Sequence, residues 1–176
     1  MLEAVRITED ILDRASDFAS TTKRNEKMSI RKHDGAFIGA VGAVAVADFY
    51  GVELEDQPEY DMIIEMPTRT IRGREVSVDK KISVKTKQRR VGPPAGYYEA
   101  SVTKESLHVL NPDYFVFVSL YKLEIAYIMG MIEVNEFAEK ARFVEEGVID
   151  TTNGYRNRKA CYNLAYEELN DKVATA

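Results

Sequence analysis

The sequence predicts an α+β domain with an α/β-type core, a central mixed β-sheet flanked by helices, on three observations. The first fifty residues hold two helix-like stretches, one amphipathic and one alanine-rich and nearly all apolar. After Pro58 the apolar period shortens towards two, and β-branched and aromatic runs alternate with polar breaks. The run Tyr114–Leu120 (YFVFVSL) is continuously apolar, as a strand buried on both faces would be. At 176 residues the chain is long enough for one domain with a real core and short for two. Residues 1–34 read as an N-terminal helical segment and 35–170 as the core, in one compact domain overall.

Each element has its own signal. Thr8 precedes Glu9 and Asp10, and Ile11, Leu12, Ala15 and Phe18 form an apolar stripe. That pattern is an N-cap, an acidic first turn and a helix over 8–22. Residues 23–34 are polar and basic, a linker or a second short helix. GAFIGAVGAVAVADFYG (35–51) reads as a buried helix ended by Gly51. Gly35, Gly39 and Gly42 fall roughly on one of its faces, which suggests close backbone packing on a sheet. Strands are expected at Tyr60–Met66, Glu75–Val78 and Ile82–Thr86, the last two joined by a turn at Asp79-Lys80-Lys81. RRVGPPAG (89–96) is a basic loop, and Tyr97–Thr103, Tyr114–Tyr121 and Ile125–Ile132 are further strands. Val134–Phe143 is an amphipathic helix with Asn135 as N-cap candidate. Residues 150–160 form a polar turn, and Tyr162–Leu169 closes the fold.

Composition excludes several classes. No apolar stretch approaches the roughly 18 residues of a membrane span. The charged, amphipathic N-terminus carries no signal-peptide core, so the cytoplasm is the expected compartment, the host's if the chain is viral. One cysteine, Cys161, excludes an internal disulfide framework and a cysteine-built zinc site. The net charge of −5 conceals strong polarity. Residues 69–90 hold nine basic side chains against Glu75 and Asp79, and residues 23–32 hold five against Glu26. A molecule charged in this way can hold a polyanion on one face and repel it elsewhere.

The chemistry concentrates in Asp61, Ser83 and Lys85. Asp61 sits on a short apolar strand, and Ser83-Val84-Lys85 follows on a hairpin arm where alternate side chains share a face. An aspartate on one strand and an acid-x-lysine on the next suit phosphodiester hydrolysis. Carboxylates hold Mg²⁺, the metal polarises the phosphate, and the lysine orients the attacking water. Here the helix FIGAVGAVAVADFYG, the strand Tyr60-Asp61-Met62-Ile63-Ile64, the strand Ile82-Ser83-Val84-Lys85-Thr86-Lys87, the strand Tyr98–Val102 and the strand Asp113–Val118 follow in that order. Over residues 35–165 this order resembles the PD-(D/E)XK, or restriction-endonuclease-like, nucleases, most of all small phage-type members. The resemblance implies a restriction-endonuclease-like sheet, DNA as partner and Mg²⁺, or Mn²⁺, as cofactor. It implies catalytic roles for Asp61, Ser83 and Lys85, and a homodimer where both strands of a duplex are cut.

Two positions depart from the family pattern. Ala43 stands where the helix commonly carries glutamate, and Ser83 stands where the acid precedes x-Lys. Three readings stay open: an inactive member, a carboxylate supplied from elsewhere, or an altered chain. One subgroup of restriction enzymes is similar in having serine-x-lysine with a downstream carboxylate. Glu99 is then the best candidate, a metal ligand with Asp61 if its strand lies beside Lys85. Lys87, Arg89, Arg90, Arg72 and Arg74 are the expected phosphate contacts, and Tyr97 and Tyr98 could stack on bases. The expected function is a Mg²⁺-dependent endonuclease or a catalytically degenerate relative. The alternative is a non-catalytic DNA-binding or protein-interaction module on the same fold.

Overall fold

The computed structural model describes residues 3–21, 33–71, 74–152, 154 and 156–170, with backbone alone at 33–34, 68–71 and 74–76. The elements in chain order are β1 (Glu3–Arg6), α1 (Glu9–Thr21), α2 (His33–Tyr50), β2 (Met62–Ile71), β3 (Arg74–Arg89) and β4 (Glu99–Thr103). There follow α3 (Lys104–Val109), β5 (Tyr114–Tyr121), β6 (Ile125–Glu133), α4 (Val134–Lys140), β7 (Arg142–Val144) and β8 (Cys161–Ala165). The fold is α+β. Among the described residues no helix is long and apolar enough to cross a membrane.

The strands form a five-stranded mixed sheet, β1-β6-β5-β3-β2, and a three-stranded sheet, β4-β8-β7. In the larger sheet only β3 and β5 run parallel, with Ser83 opposite Phe115 and Lys85 opposite Phe117. Helices α1 and α2 cover one face and the smaller sheet packs on the other, with an apolar core in each gap. Strand β5 feeds both cores: Val116, Val118 and Leu120 join the helices, Phe115 and Phe117 the smaller sheet. Its expected burial on both faces is what the structure has, with all six inner residues buried. Strand β1 pairs with β6, and Ile11 and Ala15 of α1 are buried against α2, so residues 3–21 belong to the main body.

The helices follow their sequence signals closely. Thr8 Oγ accepts the Ile11 N–H at 3.3 Å as the N-cap of α1, and Gly51 ends α2 with φ +67°. Helix α2 is buried from Val41 to Ala47, as its unbroken apolar composition requires. The glycine stripe splits into two cases. A Cβ on Gly42 would lie 1.9 Å from Thr86 Oγ1 and 2.9 Å from two other Thr86 atoms, so this glycine lets α2 sit directly on β3. A Cβ on Gly39 would meet nothing within 4 Å, so close packing does not explain that position.

Several expected boundaries are corrected. The strands expected at Glu75–Val78 and Ile82–Thr86 are one 16-residue strand, with no turn at Asp79-Lys80-Lys81. Asp79, Lys80 and Lys81 stay paired with Glu65, Ile64 and Ile63 of β2, and none of the three is glycine, the residue that most readily supplies the left-handed dihedrals of a tight hairpin. Strand β2 correspondingly extends to Ile71, pairing with Arg74. The helix expected to reach Phe143 stops at Lys140, and its N-cap is Glu133 rather than Asn135. Strands β1 and β7 and helix α3 are too short to carry a readable period. The segment 23–32 and Arg72 lie outside the described residues.

Gly42→Ala should destabilise the protein by about 1–3 kcal/mol, because short, branched Thr86 cannot give way cheaply. Gly39→Ala should be neutral or stabilise by up to about 1 kcal/mol, as alanine is the better helix former and meets open space. Urea unfolding of both variants checks the contrast.

Candidate functional site

The period of two along β3 sets the site. Ile82, Val84 and Thr86 point towards α2, while Ser83, Lys85, Lys87 and Arg89 point towards the smaller sheet. Between that row and the smaller sheet lies a cleft of about 1290 Å³. Ser83, Lys85, Lys87, Arg89 and Arg90 line one side. Ala100–Thr103, Cys161, Asn163 and the segment 156–159 line the other, and the starts of α2 and the end of α1 contribute at the edge. The two sides touch through single side chains: Lys87 Nζ reaches Ser101 Oγ at 3.4 Å, and Arg89 donates to the Glu99 carbonyl at 3.3 Å.

Asp61 is 1% exposed, and its carboxylate accepts the Val84 N–H at 2.7 Å. Its own N–H donates to the Ile82 carbonyl at 2.7 Å. The aspartate therefore fastens the entry to β2 onto the backbone between Ser83 and Lys85. Asp61 thus lies against the backbone between Ser83 and Lys85, but it precedes β2 and does not line the cleft that those two residues line. Ser83 is buried at 3%, and the Lys85 ammonium lies 5.4 Å from the centre of the Phe115 ring. Ala43 is fully buried among apolar neighbours of α2.

Glu99 lies elsewhere than expected. Its strand is not beside β3, whose partners are β2 and β5, but at the edge of the smaller sheet. Its carboxylate binds Arg142 at 2.7 Å, and the same guanidinium holds Asp150 at 2.9 Å. The Asp150 side chain is wholly buried, and it also accepts the Thr152 N–H at 3.0 Å and the Asn163 amide at 3.4 Å. Arg142 holds the Asp150 carboxyl below the usual range, aided by Thr152 and opposed by burial. Among the described residues no three histidine, cysteine, aspartate or glutamate side chains stand together to hold a metal ion. The donor set thus does not fit the Asp61–Glu99 metal centre, and no metal-dependent step follows from it.

The basic residues divide by role. Lys87 has an open outer surface, but the surrounding protein and then the charge of Arg89 lower its pKa. Arg89 is a strut between the sheets: its guanidinium carbon lies 4.5 Å from the centre of the Tyr98 ring and 5.7 Å from that of Tyr166. Arg90 is exposed at the cleft's edge. Arg74 begins β3, and its side chain, like all of Arg72, lies outside the described residues. Of the stacking candidates, Tyr98 is already covered by Arg89, whereas Tyr97 is 70% exposed. Sequence reasoning missed Arg156, Arg158 and Lys159, which line the same cleft. Three cations within four residues were legible, but the stretch read as a polar turn. Seven lysines and arginines thus line the cleft among the described residues, against one carboxylate, Glu59. The chain matches no protein-family model, no curated protein and no solved structure.

Asp61→Ala should cost about 1–3 kcal/mol, since it leaves the buried Val84 N–H unpaired. Urea unfolding measures the loss. The folded state favours ionised Asp150, so its contribution is present above the usual carboxylate pKa and disappears as pH falls through the depressed value. Asp150→Asn should lower stability at neutral pH and flatten the fall in urea midpoint between about pH 5 and pH 2.

Proposed function

We propose that the chain binds nucleic acid, DNA in the first instance, through its phosphate backbone in the cleft between the two sheets. The observation that carries this reading is the cleft lining, seven cations to one carboxylate in a chain whose net charge is −5. A protein acidic overall gains such a surface only by gathering its cations in one place, and a polyanion is the ligand that answers many cations at once. The order of α2, β2, β3 and β5, with Asp61 fastened beside Ser83 and Lys85, supports a core resembling the PD-(D/E)XK nucleases.

A second reading, phosphodiester hydrolysis with Mg²⁺ or Mn²⁺, is favoured by the burial of Asp61 against the motif strand. It asks for a further carboxylate that neither Ser83 nor Ala43 supplies. It also asks for a second copy of the chain where both strands of a duplex are cut. Plasmid nicking that is lost in Asp61→Asn and Lys85→Ala would select this reading over binding alone.

Binding should weaken steeply with salt, log K against log salt falling by about 0.7–0.9 per phosphate neutralised. Lys85→Gln with Arg90→Gln should reduce that slope by about 1.4–1.8. Fluorescence anisotropy with labelled oligonucleotides between 25 and 300 mM NaCl, roughly the range over which such contacts are lost, measures both. No retention of DNA at the lowest salt ends the binding reading.

A further inference from the structure

The proposed cleft has two cationic walls, and together they bear on what form of nucleic acid enters it. Beside the apolar core that the two sheets share, β3 reaches the smaller sheet through Lys87 to Ser101 and Arg89 to the Glu99 carbonyl. The space of about 1290 Å³ exceeds the usual small-ligand pocket of about 300–1,000 Å³, as a segment of polymer requires.

The second wall is the segment 156–159, which leads into β8. Residue Cys161 of β8 pairs with Thr103 at the far end of β4. Arg156 and Arg158 are exposed, and with Lys159 they line the cleft across from the β3 row. Arg156 also donates to the Gly147 carbonyl at 2.7 Å, which steadies the segment. Cations from two separate elements lining one cleft can grip one strand's phosphates from two directions.

The loop between β3 and β4 supplies an aromatic platform. Tyr97 is 70% exposed and set edge-on to Tyr98, with ring centres 5.0 Å apart. Tyr98 lines the cleft and is covered by Arg89, and exposed Tyr97 stands in edge contact with it, outside the lining itself. An exposed aromatic next to a cationic track is the pairing by which unpaired bases are held, since every base has a face to stack.

We infer that the cleft is a clamp for an unpaired nucleic-acid strand, gripped between the β3 cations and Arg156, Arg158 and Lys159, with Tyr97 stacking on a base. The inference rests on the binding reading above. It names the form of the ligand and the residues that select it.

Anisotropy of the full chain with a labelled thymidine oligonucleotide, a uridine oligonucleotide and a blunt DNA hairpin of equal phosphate number tests it. The unpaired strands should bind at least about tenfold tighter than the hairpin, with the DNA and RNA arms identifying the better ligand. Arg156→Ala with Arg158→Ala and Lys159→Ala should weaken unpaired-strand binding and lower its salt slope by about 2, at about 0.7 per contact. Tyr97→Ala should weaken it about 5- to 100-fold, with Tyr97→Phe restoring it and the hairpin barely affected. Arg156, Arg158 and Tyr97 are exposed and Lys159 is partly buried, so circular dichroism checks that the variants fold. Equal or tighter hairpin binding, or an unchanged triple variant, overturns the clamp while leaving nucleic-acid binding intact. Binding of none of the three probes at low salt overturns both.

Discussion

Alternation along one strand is the constraint on which the rest of the structure depends. Strand β3 is sixteen residues long and central enough to have β2 on one side and β5 on the other. Its even-numbered side chains, Ile82, Val84 and Thr86, must be small or apolar because α2 lies on them, so closely that Gly42 has no room for a Cβ. Its odd-numbered side chains are then committed to the opposite face. With Lys85, Lys87 and Arg89 at those positions, the face of β3 turned to the smaller sheet lines a polar cleft beside the shared apolar core. A slip of one residue would bury three cations under α2, so the apolar core itself fixes the register of the cation row.

The two aspartates that flank β3 show how the sheet is held in that register. Asp61 accepts the Val84 N–H at the start of β2, and Asp113 accepts the Lys81 N–H at 2.8 Å just before β5. Each carboxylate supplies an acceptor where the neighbouring strand has not yet begun. Both residues fall within the segments that resemble a nuclease motif, and both make structural bonds in that place. The role of Asp61 in joining β2 to β3 holds whether or not chemistry is ever done there.

Much of the fold was legible because its signals are local. The apolar helix α2, the doubly buried β5 and the Thr8 cap each follow from a few adjacent residues. The long hairpin was not, because a polar triplet looks like a turn when the alternation running through it is ignored. The site was legible in part for the same reason. Ser83 and Lys85 share the cleft face of β3 by alternation, and Asp61 is tied to the backbone between them without lining the cleft. Glu99 was misplaced because nothing in a five-residue strand tells which sheet it will join. Its real neighbours, Arg142 and Asp150, lie more than forty residues further along the chain. The wall at 156–159 was missed because its relation to β3 exists only in the folded molecule.

Ser83 bears on what the site can do without a cation. An aspartate there would be almost wholly buried, on the strand to which the Asp61 carboxylate is already fastened. Two desolvated carboxylates so close repel, and one would take up a proton or require a bound cation to remain charged. Serine removes that repulsion and leaves the cleft's positive potential undiminished by a second buried carboxylate. Ala43 acts in the same sense, filling the apolar face of α2 where a glutamate would bring a further negative charge into the core. Both departures favour holding a polyanion over assembling a divalent-metal centre. The excess of cations along the cleft and the lack of carboxylates at positions 43 and 83 are thus two aspects of one electrostatic arrangement, which suits the proposed retention of a phosphate backbone.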